Sequence, residues 1–228
     1  MLWTRSLRLV CSVALAGALT ASTATPPHPT VEYVRTIPSV REFTKPRSVF
    51  TKLVQFVAGP AADKPEILRP YSTTHDSTGR LLIADPGIRG VHIFDFEKHK
   101  YLFLKGPRGN AFGSPIDVVC DSADNIYVSD SMRARIYVFD SKGKFVRFIG
   151  GGNQEPRFLR PTGMAMDQRA KRIYITDTLR HQVLIVGQDG SLIRVIGKRG
   201  KGDGEFNFPT SVALASIGLR HRPRSQNQ

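Results

Sequence analysis

Arg160–Pro209 reads RPTGMAMDQRAKRIYITDTLRHQVLIVGQDGSLIRVIGKRGKGDGEFNFP, and the pattern Pro-x-x-[Val/Met]-Ala-[Leu/Met] near its start begins again at Pro209. Between the two prolines lie four short apolar runs, Gly163–Met166, Ile173–Thr176, Val183–Val186 and Leu192–Ile196. Each alternates or is rich in β-branched residues, and each ends at a cluster of Gly, Asp or Asn, which marks strands separated by turns. Four strands in one repeating unit make a propeller blade.

The repeat holds when it is tested by spacing. Pro70, Pro115, Pro161 and Pro209 open successive units at steps of 45, 46 and 48 residues. Asp85, Asp130 and Asp177 close the second strands at steps of 45 and 47, after Leu82-Ile83-Ala84, Tyr127-Val128-Ser129 and Tyr174-Ile175-Thr176. Three anchors recurring in register argue against an ordinary β-sandwich and for an all-β propeller with a period of about 40–50 residues. These prolines and aspartates are the structural anchors of the repeat.

The spacing predicts three full units. The first has strands at Tyr71–Thr74, Arg80–Ala84, Gly90–Phe94 and Tyr101–Lys105. The second has Ile116–Cys120, Asn125–Ser129, Arg135–Phe139 and Lys144–Ile149, and the third has Thr162–Met166, Arg172–Thr176, Gln182–Val186 and Ser191–Ile196. Turns at Asp76-Ser-Thr-Gly, Asp140-Ser-Lys-Gly and Asp189-Gly separate them, with chemistry suited to tight reversals. Phe50–Ala58 resembles the outer strands Phe145–Ile149 and Leu192–Ile196, so it reads as the fourth strand of another blade. Ser211–Ala215 reads as a first strand, after which the basic, aperiodic 216–228 is expected to be disordered. The expected organisation is a signal peptide over 1–24, a Pro-rich linker over 25–47, a partial propeller over 48–215 and the tail. Open propeller edges would invite self-association.

The run from Gly200 to Leu214 resembles the linker and first strand of an NHL repeat, as do Asp130–Phe139 and Asp177–Ile185. The family turn is Asp, Ser or Thr, any residue, Asn, any residue, Arg. Here Arg133 and Arg180 stand in place of the Asn, and Arg135 keeps the final Arg while Gln182 and Gly90 do not. The resemblance covers Ile67–Leu214 and implies a closed form of about six blades. Relatives with this repeat include amidating lyases, streptogramin lyases, scaffolds, sensor domains and RNA readers, so the resemblance specifies fold more than function.

Residues 1–24 carry Arg5 and Arg8, an apolar run Leu9–Leu19 and small residues up to Ala24. This predicts a signal peptide cut after Ala24 and a secreted or periplasmic protein. Only Cys120 would then remain, with no disulfide partner, as a buried small hydrophobe.

The chain has a net charge of +14, which predicts attraction to anionic polymers or surfaces. In a propeller, the loops between second and third strands share a face with the blade-to-blade linkers. That face collects eleven cations: Arg89, Lys105, Arg108, Arg133, Arg135, Arg157, Arg160, Arg180, Lys198, Arg199 and Lys201. Against them stand six acids, Asp85, Asp130, Glu155, Asp177, Asp203 and Glu205, whereas the opposite face has eight of each sign. Arg89, Arg133, Arg135, Arg157, Arg180, Lys198, Arg199 and Lys201 are the candidate binding residues, and the expected partner is a protein or an anionic envelope polymer. A turn clamped by Asp130 and Arg135 is the structural alternative.

The six histidines show no metal-ligand spacing, and the first-strand positions Thr74, Val119 and Ala165 supply no ligands to the channel. No Gly-x-Ser-x-Gly or HExxH occurs. The glycine-rich Gly197–Gly204 opens no helix, so it reads as a blade linker. Stacking aromatics are lacking in the loops, which argues against a specific nucleic-acid reader. Neither cofactor nor metal is expected. The leading expectation is a non-catalytic binding or scaffold module, and the alternative is an exported lyase or hydrolase.

Overall fold

The computed structural model describes residues 65–215 except Gln154. The chain divides into two compact units, and all described residues belong to the second, Ile37–Gln228; the first, Met1–Thr36, lies outside them. The expected leader, the Pro-rich linker, the strand at Phe50–Ala58 and the tail 216–228 also lie outside the described residues. Among the described residues, no helix is long and apolar enough to cross a membrane.

Among the described residues, twelve strands form three four-stranded antiparallel sheets, one for each expected unit. The first sheet is β1 (Ser72–His75), β2 (Leu81–Asp85), β3 (Gly90–Asp95) and β4 (Lys100–Leu104). The second is β5 (Pro115–Cys120), β6 (Ile126–Asp130), β7 (Arg135–Phe139) and β8 (Phe145–Ile149). The third is β9 (Pro161–Asp167), β10 (Arg172–Asp177), β11 (Gln182–Gly187) and β12 (Leu192–Ile196). Within each sheet, sequence neighbours are spatial neighbours. Every boundary falls within one residue of the sequence expectation, because the turns were legible. Asp76, Asp121 and Asp140 each accept the N–H groups two and four residues ahead.

Alternation along the strands explains how the sheets stack. Successive side chains point to opposite faces, and the middle sheet is covered on both. Ile126, Val128, Tyr137 and Phe139 pack into a core with Leu82, Val91 and Ile93 of the first sheet. Tyr127, Ile136 and Val138, in the alternate register, pack with Ile173, Ile175, Leu184 and Val186 of the third. Ile126, Val128, Ile136 and Ile173 have no exposed surface, and burial of such a side chain contributes about 1.5–3 kcal/mol. The inner strands β1, β5 and β9 run side by side.

Two local expectations change. Ser211–Ala215 forms no ladder: within the described residues, no second strand follows for it to pair with. It is held at its start, where Gly163 N–H donates to the Thr210 carbonyl at 3.0 Å. A Cβ on Gly163 would come within 2.7 Å of that carbonyl oxygen and of Ser211 Cα, so only glycine permits this approach. The turn after Asp177 is a short 3-10 helix, Thr178–Arg180, ended by His181 in the left-handed region at φ 56°. Cys120 lies in the first core at 7% exposure. Burial is the main cause that pushes its thiol up to about 12, so it stays protonated and unreactive near neutrality.

Candidate functional site: the linker face and channel mouth

Each second strand ends in an aspartate with no exposed surface. Asp130 accepts N–H groups from Gly113 (2.7 Å) and Ser114 (2.9 Å) of the preceding linker, and from Met132 (3.1 Å) and Arg133 (2.9 Å) of its own turn. Asp85 does the same with Leu68, Arg69 and Gly87. Asp177 takes Leu159 at 2.7 Å and Arg160 at 2.9 Å. A carboxylate has two charged acceptor oxygens, so it can accept from two backbone segments at once. Asp85 and Asp130 therefore pin linker to turn, while Asp177 holds its linker and meets its own turn through Arg180, and the three build the face on which both lie.

The cations of that face remain outside. Arg89, Arg133, Arg157, Arg180, Lys198, Arg199 and Lys201 are exposed, and Arg135 is half-buried. Three are paired: Arg157 with Glu155 at 3.2 Å, Arg180 with Asp177 at 3.7 Å and Lys198 with Glu205 at 3.2 Å. Arg89, Arg133, Arg199 and Lys201 have no ion pair among the described residues. The alternative of an Asp130–Arg135 clamp does not hold. Arg135 instead lays its guanidinium over Phe148, 4.6 Å from the ring centroid, while backbone N–H groups satisfy Asp130. The glycine-rich linker folds back on itself: Phe206 N–H donates to the Lys198 carbonyl and Gly200 N–H to the Phe206 carbonyl.

The inner strands begin at the linker face, and the residue two places after each repeat proline lines a pocket there. These residues are Ser72, Asp117, Gly163 and Ser211, in a cavity of ≈ 180 Å³. Asp117 ties the units together. Its Oδ1 accepts from the Ser72 hydroxyl of the first sheet and from Val118 N–H, and its Oδ2 accepts Met164 N–H of the third sheet at 2.6 Å. Burial holds the Asp117 carboxyl above its ordinary range, against these hydrogen bonds, which favour the charge.

A family model described as 6-bladed beta-propeller matches residues 88–168 and 164–218, more than half of the chain. The chain belongs to the 6-bladed beta-propeller family. Solved propellers of similar fold include virginiamycin B lyase from Staphylococcus aureus, at 17% identity and TM-score 0.52, covering 65% of this chain and 46% of that one. An auxiliary nutrient binding protein from Bacteroides thetaiotaomicron matches at 15% and TM-score 0.51, covering 64% and 42%. A chain of a nidogen/laminin complex matches at 15% and TM-score 0.50, covering 67% and 73%. This propeller chain thus spans less than half of the lyase and nutrient-binding chains, and at these identities the likeness is one of fold. No curated protein matches in sequence.

The pocket residues lie two places before the inner-strand positions weighed as channel ligands. Thr74, Val119 and Ala165 are absent from the pocket lining, and Val119 packs against the second core. The signal was present two residues earlier, in Pro-x-Ser, Pro-x-Asp, Pro-x-Gly and Pro-x-Ser. It was hidden because Asp117 and Val119 lie two places apart with regular pairing between them, and alternation puts both on one side of β5. His92 was also missed. Its buried ring lies between Asp85 Oδ2, 3.5 Å from Nε2, and the Tyr101 hydroxyl, 2.8 Å from Nδ1. Burial lowers its pKa despite Asp85. Among the described residues, no group of three or more His, Cys, Asp or Glu could hold a metal.

Asp117 gives a pH prediction. An acid with a raised folded pKa binds more protons folded than unfolded, so stability falls as pH rises from the unfolded value to the folded one. The window opens at about 3.9 and runs upward, and the cost is complete above the folded pKa. Urea midpoints of wild type minus Asp117→Asn, measured from pH 4 to 7, should therefore decline with pH. A flat or rising difference would remove the burial argument.

Proposed function

We infer that the chain is a non-catalytic binding module, an NHL-type propeller of the secreted or periplasmic space, whose linker face holds an anionic polymer or an acidic protein surface. One observation carries this reading. Asp85, Asp130 and Asp177 are spent on backbone N–H groups inside the protein, whereas Arg89, Arg133, Arg199 and Lys201 stand exposed. The face therefore presents its cations to a partner while these carboxylates are held out of reach. The retained Asp130-Ser131 and Arg135 support the NHL assignment, and the leader composition supports export. A propeller lyase or hydrolase is the competing reading. It needs a base opposed to an acid, and the pocket lining supplies Asp117 without a histidine.

The test is binding of long-chain polyphosphate to the full chain as salt rises. The Debye length falls from about 10 Å at 0.1 M to about 3 Å at 1 M, so affinity should drop by at least an order of magnitude. Binding that is absent at 0.1 M, or insensitive to salt, overturns the reading.

A further inference from the structure

Four repeat units converge on the channel mouth, and the basic rim does not account for what they build there. Ser72, Asp117, Gly163 and Ser211 come from successive units yet line one cavity of ≈ 180 Å³. Asp117 brings a carboxylate whose Oδ2 receives a single hydrogen bond, from Met164 N–H. An ionised carboxylate oxygen accommodates more than one, so a ligand donor can be received there. The Ser72 hydroxyl, which donates its proton to Asp117, is left to accept, and the Ser211 hydroxyl adds a short group that donates or accepts. Tyr71 also lines the cavity and keeps 57% of its surface exposed. An exposed aromatic ring beside a carboxylate offers an apolar face next to an acceptor, which matches a ring bearing hydroxyls on its edge and C–H groups on its faces.

The donor facing Asp117 is either neutral, such as a hydroxyl, or cationic, such as an ammonium. The surroundings separate the two. The linker face around the mouth is basic and repels a free cation, whereas a hydroxyl carried on a chain with its own negative groups is drawn in. We propose that the channel-mouth pocket takes one sugar unit of an acidic oligosaccharide, a ring hydroxyl donating to Asp117 and Tyr71 packing against the ring face. The negative substituents of the neighbouring units then lie on the basic rim, so the inference rests on the basic-face reading and narrows its ligand.

The test measures calorimetric affinities for two probes at 0.1 M NaCl, an α-1,4-linked galacturonate hexamer and polyphosphate. Tyr71→Ala, at an exposed site, should weaken hexamer binding about tenfold and leave polyphosphate binding within twofold. Asp117→Asn removes a negative charge, so electrostatics alone would strengthen both anions. A loss of about tenfold for the hexamer alone therefore has the opposite sign to a charge effect. Thermal melts establish that each variant is folded, and if Asp117→Asn is not, Tyr71→Ala decides. Folded variants that bind the hexamer as wild type does overturn the pocket. So does a wild type that binds polyphosphate but not the hexamer, which leaves the basic face standing. Binding of neither probe removes both readings. Tetramethylammonium bound by wild type and lost in Asp117→Asn overturns the sugar in favour of a cation.

Discussion

Asp130→Ala is expected to lower stability by about 4 kcal/mol, the largest effect of any single change on the linker face. A methyl group in that position leaves the N–H groups of Gly113, Ser114, Met132 and Arg133 without their acceptor, at a site with no exposed surface. Each hydrogen bond to a charged group contributes about 1.5–3 kcal/mol, and the sum is reduced because the opened turn admits water. With a urea slope of about 1–3 kcal/mol/M, the midpoint should fall by about 2 M. Asp130→Asn should cost nearly as much, since one end of the amide then turns donors toward donors. Asp140→Ala is the control. Its carboxylate serves Lys142 and Lys144 N–H at a solvent-facing turn, and its loss should cost about 1 kcal/mol. A midpoint change below about 0.3 M for Asp130→Ala would mean that the linker is held by something other than this carboxylate.

Reversing Arg89, Arg133, Arg199 and Lys201 together to glutamate is expected to abolish polyphosphate binding, a loss of about a hundredfold or more. Single changes are too small to read, because an exposed charge contributes about 0–1 kcal/mol. Four reversals change the face by eight charges. The set avoids Arg180 and Lys198, which are paired with Asp177 and Glu205, so reversal there would place like charges in contact and confuse binding with stability. Lys142, Lys144, Arg169 and Lys171 on the opposite face, exposed and also without ion pairs among the described residues, provide a reversal of equal total charge. Loss in the first variant alone locates the partner. Equal loss in both means that net charge attracts without a site, and loss in neither retires the basic face.

The fold was legible in the sequence because its signals are local. A β-branched run, an Asp-initiated turn and a repeating proline each act within a few residues, and three copies in register compound the evidence. The anchors were legible as positions but not as roles. Asp130 suggested a partner five residues away in Arg135, whereas its acceptors serve Gly113 and Ser114, 17 and 16 residues earlier. The pocket was less legible still. Asp117 and Val119 share one side of β5, with regular pairing between them, so alternation alone does not tell which lies at the pocket and which packs in the core. Asp117 also depends on Ser72 and Met164, 45 and 47 residues away, where no local pattern reaches.

Those separations have a further consequence. Ser77 meets Asp124 at a separation of 47, Gln168 reaches the Cys120 carbonyl at 48 and Ser129 reaches the Thr162 carbonyl at 33. Every one of these bonds stops at the adjacent unit. The energetics are those of a row of coupled members with nearest-neighbour terms, in which an end member is held by one junction and an inner member by two. Loosening one junction therefore weakens the two members it joins and leaves more distant ones in place. Such a row can also gain or lose a whole member in descent at the cost of a single junction, since each member carries its own buried aspartate and borrows its neighbour's only at the seam.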